Sequence, residues 1–332
     1  MRNPVLCKHM GFFVYGRLHG WTMFVWILLA VMAWAESPGL VMVDRLAKQG
    51  MIVSALDKVN GLIQSNPEDV DLYAMRGSLF MLRGRYALAV DDFIYGMPSS
   101  KMYGTGGELY AKGLGILGEC EKSSDEYQKI RLFGNLKEPA KVRLYAEHID
   151  LLRSCGDVDS ARELWYEMAS QFPNAALTFF AQADALLDRG DIDGAYSSLW
   201  QSSQHTKHVS IRNIYARIAL LEGRYEQAFS IMEAIRYQRV ADRAMLLYVL
   251  SALLSGQPSE VLYKLDENRW EYNDNPMLLY ARLVAYSQIE ETNTQAYQWE
   301  REYFFTVCDN ACQTRVLYNY QLETGIPWVS VL

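Results

Sequence analysis

A chain of 332 residues that is half apolar, with only nine prolines, can build a large buried core and is not a disordered polymer. Its net charge of -7 and the lack of a basic run exclude a non-specific nucleic-acid binder, because phosphate contacts need clustered Lys and Arg. The first 35 residues hold three of the 32 basic residues, Arg2, Lys8 and Arg17, and none of the 39 acidic ones, so the remainder is more acidic still.

Residues 1–35 have the three parts of a secretory signal: a positive start, the apolar block WTMFVWILLAVMA, and the small pair Ala33 and Ala35 of an A-x-A cleavage site. The competing reading is an uncleaved anchor, since the uncharged run 18–35 is at the short end for a spanning helix. Positive charge ahead of the apolar run sends the rest of the chain across a membrane in either case. The expected location is therefore a periplasm or cell envelope, with a membrane involved only if the segment is retained.

From Glu36 onward the sequence predicts pairs of short helices. The clearest is 70–97, VDLYAMRGSLFMLRGRYALAVDDFIYGM, with Gly84 at the corner. Corner glycines recur at Gly50, Gly84, Gly118, Gly156, Gly190, Gly223 and Gly256, every 33 to 38 residues. Five residues after each stands a small or compact side chain: Ala55, Ala89, Ser123, Ala161, Ala195, Ala228 and Val261. Nine after stands a bulky one: Val59, Phe93, Tyr127, Trp165, Leu199, Met232 and Leu265. A last copy lacks the glycine but keeps Ala296 and Trp299 near the expected places. Self-similarity at this period is the signature of a helical repeat array, in which each pair has an apolar face that only its neighbours can bury. The third copy is longer and Gly-rich, and is expected to be the softest; its run 104–107 is expected to loosen the start of a helix.

These residues resemble the tetratricopeptide repeat family. Tyr73, Gly77, Gly84-Arg85-Tyr86, Ala89 and Phe93 follow its pattern, Asn66-Pro67 closes the preceding copy, and LLEGRYEQAFSIMEAI repeats it at 220–235. The resemblance implies an all-α superhelix of about eight repeats over 36–306, with 307–332 as a capping helix and tail. It also implies that first helices line a concave groove that takes a protein or peptide partner. Carried over position by position, the groove holds Lys112, Arg143, Asp150, Phe180, Asp184, Asn213 and Arg217, followed by Arg243, Leu246 and Leu250. The bland alternative for its charged members is a solvated face with weak ion pairs. The segment YAEHIDLLRSCGDVDSARELWYEM also resembles the RNA-reading pentatricopeptide repeat, but the other copies do not.

No phosphate loop, nucleophile elbow or zinc signature is present, and no enzyme, metal or cofactor is implied. His205 and His208 lack a third ligand and read as a solvated helix end. Cys308 and Cys312 are too far apart for a bond along a regular helix, but Asp309-Asn310 can interrupt it; a disulfide and two free thiols both stay open. In the geometry the family implies, Cys120 and Cys155 lie at one end of adjacent repeats, where a bridge would staple the third copy to the fourth. The final helix, about 311–323, is expected to cover the open apolar end of the array, with Trp328 packed there.

Overall fold

A computed structural model of the chain describes residues 38–96, 103–134, 136–203, 210–234, 242–267, 275–289 and 294–328. The N-terminal segment, the His205 and His208 pair and residues 329–332 lie outside it, and so do the expectations placed on them. Among the described residues there are 17 helices and no strand, so the fold is all-α.

The helices pair off in chain order: α1 (Pro38–Lys48) with α2 (Ile52–Ser65), α3 (Val70–Leu82) with α4 (Tyr86–Gly96), α5 (Tyr103–Leu117) with α6 (Cys120–Phe133), and α7 (Glu138–Ser154) with α8 (Val158–Gln171). Then follow α9 (Ala176–Leu187) with α10 (Ile192–Ser203), α11 (Ser210–Leu221) with α12 (Tyr225–Glu233), α13 (Asp242–Leu254) with α14 (Pro258–Glu267), and α15 (Pro276–Gln288) with α16 (Gln295–Val307). A final helix, α17 (Asn310–Thr324), has no partner of its own in sequence.

The corners explain the pairing. All seven marker glycines have φ between 65° and 93°, the left-handed region that costs other residues strain. The residue after each glycine donates its N–H to a carbonyl five positions earlier: Arg85 to Phe80, Asp157 to Leu152, Arg224 to Ala219, at 2.8–2.9 Å. That bond closes the first helix and turns the chain back. The compact residues Ala55, Ala89, Ser123, Ala161, Ala195, Ala228 and Val261 are all buried, as the periodicity requires. Of the bulky set only Trp165 stays partly open. Replacing Ala161 by Leu, against Tyr145, Leu164 and Met168, is expected to destabilise by about 1–3 kcal/mol through overpacking. An unchanged urea midpoint would show that the register is wrong.

Two expectations fail. In the last pair Ala296 and Trp299 face solvent, and the buried face is Tyr297, Glu300 and Phe304. Arg282 reaches across at 2.7 Å to Glu300, as Arg76 does to Asp92 in the second pair. The glycines of α5 do not loosen it. The helix is continuous, and a Cβ at Gly107, Gly113 or Gly115 would come within 3.0 Å or less of Ile130, Val90 or Leu151. Their missing side chains let α6, α4 and α7 approach closely. The disulfide Cys120–Cys155 ties the start of α6 to the end of α7, with Cα atoms 6.0 Å apart. The second, Cys308–Cys312, spans the break between α16 and α17, where Asp309 caps the new helix by accepting from Cys312 N at 2.9 Å.

The largest correction concerns α17. It does not lie over the end of the stack. It packs on α7, α11, α13 and α15, all first helices of their pairs, and its Arg315 reaches the end of α5. Helices stacked in line stand about 10 Å apart, so six consecutive pairs laid straight would run far past a helix of 15 residues, which is about 22 Å long. One short helix can touch the third, fourth, sixth, seventh and eighth pairs only if the array coils around it. The inner face expected to be an open groove is therefore occupied, from the third pair to the eighth, by the chain's own C-terminal helix.

Candidate functional site

Asp150, Asp184 and Arg217 stand at one position of three successive first helices, and the stacking brings them together. They do not form a solvated rim. Arg217 is fully buried, at 0% exposure, and Asp184 nearly so. The Arg217 guanidinium donates to Asp184 Oδ1 at 2.8 Å, to Asp188 Oδ1 at 2.5 Å and to the Leu322 carbonyl at 2.9 Å, and lies 3.0 Å from Glu323 Oε2. Arg153, on α7, makes a two-bond fork with Asp188 at 2.6 and 2.8 Å. Arg243, on α13, makes a second fork with Asp184 at 2.5 and 2.7 Å and reaches Glu323 at 3.1 Å. Three arginines thus meet three buried carboxylates, with half-exposed Asp150 touching Arg153 and Arg243 at the edge.

Burial alone would push the Asp184 carboxyl up. The charges of Arg243, Arg153 and Arg217 outweigh it and hold the group far below the ordinary range. Asp188 is held down in the same way, against its own burial, by Arg153 and Arg217. The bidentate geometry suits arginine and not lysine. The network welds α7, α9, α11 and α13 to α17, because its third carboxylate, Glu323, belongs to that helix.

Further along α17, Asn319 donates to the Ser154 carbonyl at 2.8 Å, and Arg315 to the carbonyls of Gly115 and Ile116. These carbonyls end α7 and α5, where the last turn of a helix leaves acceptors unmatched and carries partial negative charge. Among the described residues no carboxylate stands against Arg315, and burial pulls its pKa down. Tyr320 is fully buried, donates to the Met277 carbonyl and meets Tyr280 and Trp328 edge-on, with ring centres 5.3 and 5.0 Å away.

A cavity of 270 Å³ remains beside α17. It is lined by Lys112, Ile116, Tyr127, Glu147, Asp150 and Leu151 of the third and fourth pairs, by Leu246 and Met277 of the last two, and by Arg315 and Asn319. Next to it, Glu108 pairs with Arg143. Burial, then the neighbouring Glu147, push the Glu108 carboxyl up to about 7 against the pull of Arg143. His148 stacks on Tyr127 with ring centres 5.3 Å apart and shares a 2.8 Å hydrogen bond with Ser124. Burial, then Arg131, hold its pKa at about 4.

These two groups have opposite signs. Folded Glu108 keeps its proton to a higher pH than the unfolded chain does, so stability falls as pH rises from 4.5 through about 7. His148 is kept neutral, so it costs stability as pH falls from 6.5 towards about 4. At pH 6.5 the unfolded His148 is still half protonated, so its opposing contribution persists until about pH 7.5. Between pH 6.5 and 8 Glu108 is expected to take away just under about 1 kcal/mol and His148 to return about half of that, so urea unfolding is expected to show a small net loss that Glu108→Gln turns into a small gain. Equal slopes in both chains would remove Glu108 as the cause.

Of the expected groove residues, Lys112 and Asp150 line the cavity and Arg143 lies next to it. Asp184 and Arg217 are the buried network. Phe180 is a core residue, packed with Leu187, Leu199 and Ile214, so its expected place on the groove is wrong. Asn213 is half-buried, with its Oδ1 shielded from solvent. The residues outside that expected set are Arg153, Asp188, Arg315, Asn319 and Glu323. The last three follow the i, i+4, i+8 spacing of one helix face, which was a readable signal that α17 presents polar groups to something.

No family model matches the sequence, and no curated protein does. Among solved structures, the TPR domain of P58(IPK) is similar over 86% of this chain and 97% of that one, at 15% identity and a TM-score of 0.28. At that score the likeness carries no argument, and the array rests on the helix pairs themselves. Among the described residues no helix is long and apolar enough to cross a membrane, and no group of His, Cys, Asp and Glu is placed to hold a metal ion.

Proposed function

We propose that the chain is a non-enzymatic scaffold that binds a protein or peptide partner on the inner face of its helical array, outside the cytoplasm. The observation that carries this is the cavity beside α17, mixed in charge and partly apolar, at the centre of a face built from repeated first helices. Arrays of this build present extended inner surfaces and use them to bind. The tetratricopeptide-like corners and the export signal in the sequence support the same reading.

Paired reversal, Lys112→Glu with Glu147→Lys, changes the cavity's charge pattern while leaving the buried network intact. Quantitative cross-linking in the native envelope is expected to lose the wild-type partner with this variant, while helicity and melting stay unchanged. The same partner, cross-linked as strongly to the variant, would place binding elsewhere. The second reading is a membrane-anchored assembly factor that keeps residues 1–35, and N-terminal sequencing separates the two: Glu36 as first residue supports the exported scaffold, an intact Met1 segment the anchored factor. Nucleic acid co-purifying at low salt and lost at high salt would revive the RNA reading.

A further inference from the structure

Different forces hold α17 on its two sides. Towards the last pairs it is packed: Val316 and Tyr320 are fully buried in one apolar cluster that runs from α11 to α17. It contributes nothing to the apolar clusters of the third and fourth pairs. There it is held by Arg315 on two carbonyls, by Asn319 on a third, and by Tyr318, whose ring lies over the Gly156 corner. Water can take the place of such bonds, at more cost for the charged Arg315 than for Asn319. The cavity lies along this seam.

The charges at the seam are unevenly matched. Arg153 and Arg243 are matched by the buried carboxylates, Lys112 is partnered within the chain, and Arg315 donates to two carbonyls while its buried Nε stays unmatched. One acid is held more loosely. Glu147 is 38% exposed, 3.6 Å from Arg143 and 3.5 Å from the Tyr127 hydroxyl, whereas Asp150 is already paired with Arg153 at 3.1 Å and Arg243 at 3.3 Å. Apolar walls come from both sides, Ile116 and Leu151 from one and Leu246, Met277 and Leu278 from the other. The volume of 270 Å³ falls just below the range of small-molecule sites, about 300 to 1,000 Å³, and suits one or two large side chains.

We propose that this slot, between α17 and the third and fourth helix pairs, takes a segment of a partner protein that carries a large apolar side chain next to a lysine or arginine. The apolar group enters the cavity, and the cation meets Glu147. The last pairs and α17 stay together as one wall. The proposal rests on the scaffold reading above and adds the seam and the chemistry of the ligand.

The test is a phage-displayed random dodecapeptide library selected on the full-length chain with its disulfides intact. Selected peptides are then synthesised and titrated by fluorescence anisotropy. They are expected to share an apolar residue beside Lys or Arg, and to bind Glu147→Lys about tenfold more weakly. Leu246→Trp, which fills the cavity, is expected to abolish binding. Should that variant fail to fold, Glu147→Lys decides, because its side chain is partly exposed and outside the core. Peptides without the pattern, or peptides that bind Glu147→Lys as tightly as the wild type, would overturn the slot and leave the scaffold reading standing. No enrichment of any peptide would count against both.

Discussion

Replacing Arg217 by methionine is expected to cost about 3–5 kcal/mol, because it leaves buried carboxylates without their counter-charge. Methionine fills much of the same space, so the loss is electrostatic and not a cavity effect. Asp184, Asp188 and Glu323 all lose a partner at once, along with the Leu322 carbonyl. Lysine keeps the charge but cannot serve four acceptors from a fixed fork, so Arg217→Lys is expected to fall in between. Thermal and urea unfolding followed by circular dichroism read both. A loss below about 1 kcal/mol in Arg217→Met would mean that the site is solvated and the network of little weight.

Tyr320→Ala is expected to cost a similar amount, about 3–5 kcal/mol, by the ordinary arithmetic of removing a fully buried ring. Tyr320→Phe, which loses only the bond to the Met277 carbonyl, should cost about 1 kcal/mol. The location of the effect is as informative as its size. Stability in a stacked array is a sum of local terms. Hydrogen exchange is therefore expected to rise in α11 to α17, which share the Tyr320 cluster, and not in α1 to α4, which belong to another. Uniform loss of protection along the chain would contradict this division.

The array was legible because its signals are local. A glycine must take a left-handed corner and an alanine must sit at a crossing, and both constraints recur at a fixed interval. Even the alignment of Asp150, Asp184 and Arg217 followed from that interval. Their burial did not. It depends on where α17 goes, and no repeat-level rule says which surface a final helix covers. An apolar end needs a cover, so the end of the stack was the reasonable expectation. The polar spacing of Arg315, Asn319 and Glu323 spoke for a different surface. Those residues match helix ends and arginines on the inner face, and they have no counterpart on an apolar stack end. The eighth pair misled for a simpler reason. Without a corner glycine its register had no anchor, and Ala296 was one residue from the buried Tyr297.

The central claim is that α17 runs along the inner face of the array. The most direct measurement places a benzophenone side chain at position 318, where Tyr318 comes 3.9 Å from the space above Gly156, and maps the photo-cross-link by mass spectrometry. The structure predicts attachment to the corner between α7 and α8, around Gly156. Attachment confined to α15 and α16 would mean that the helix caps the end of the stack, and would contradict it.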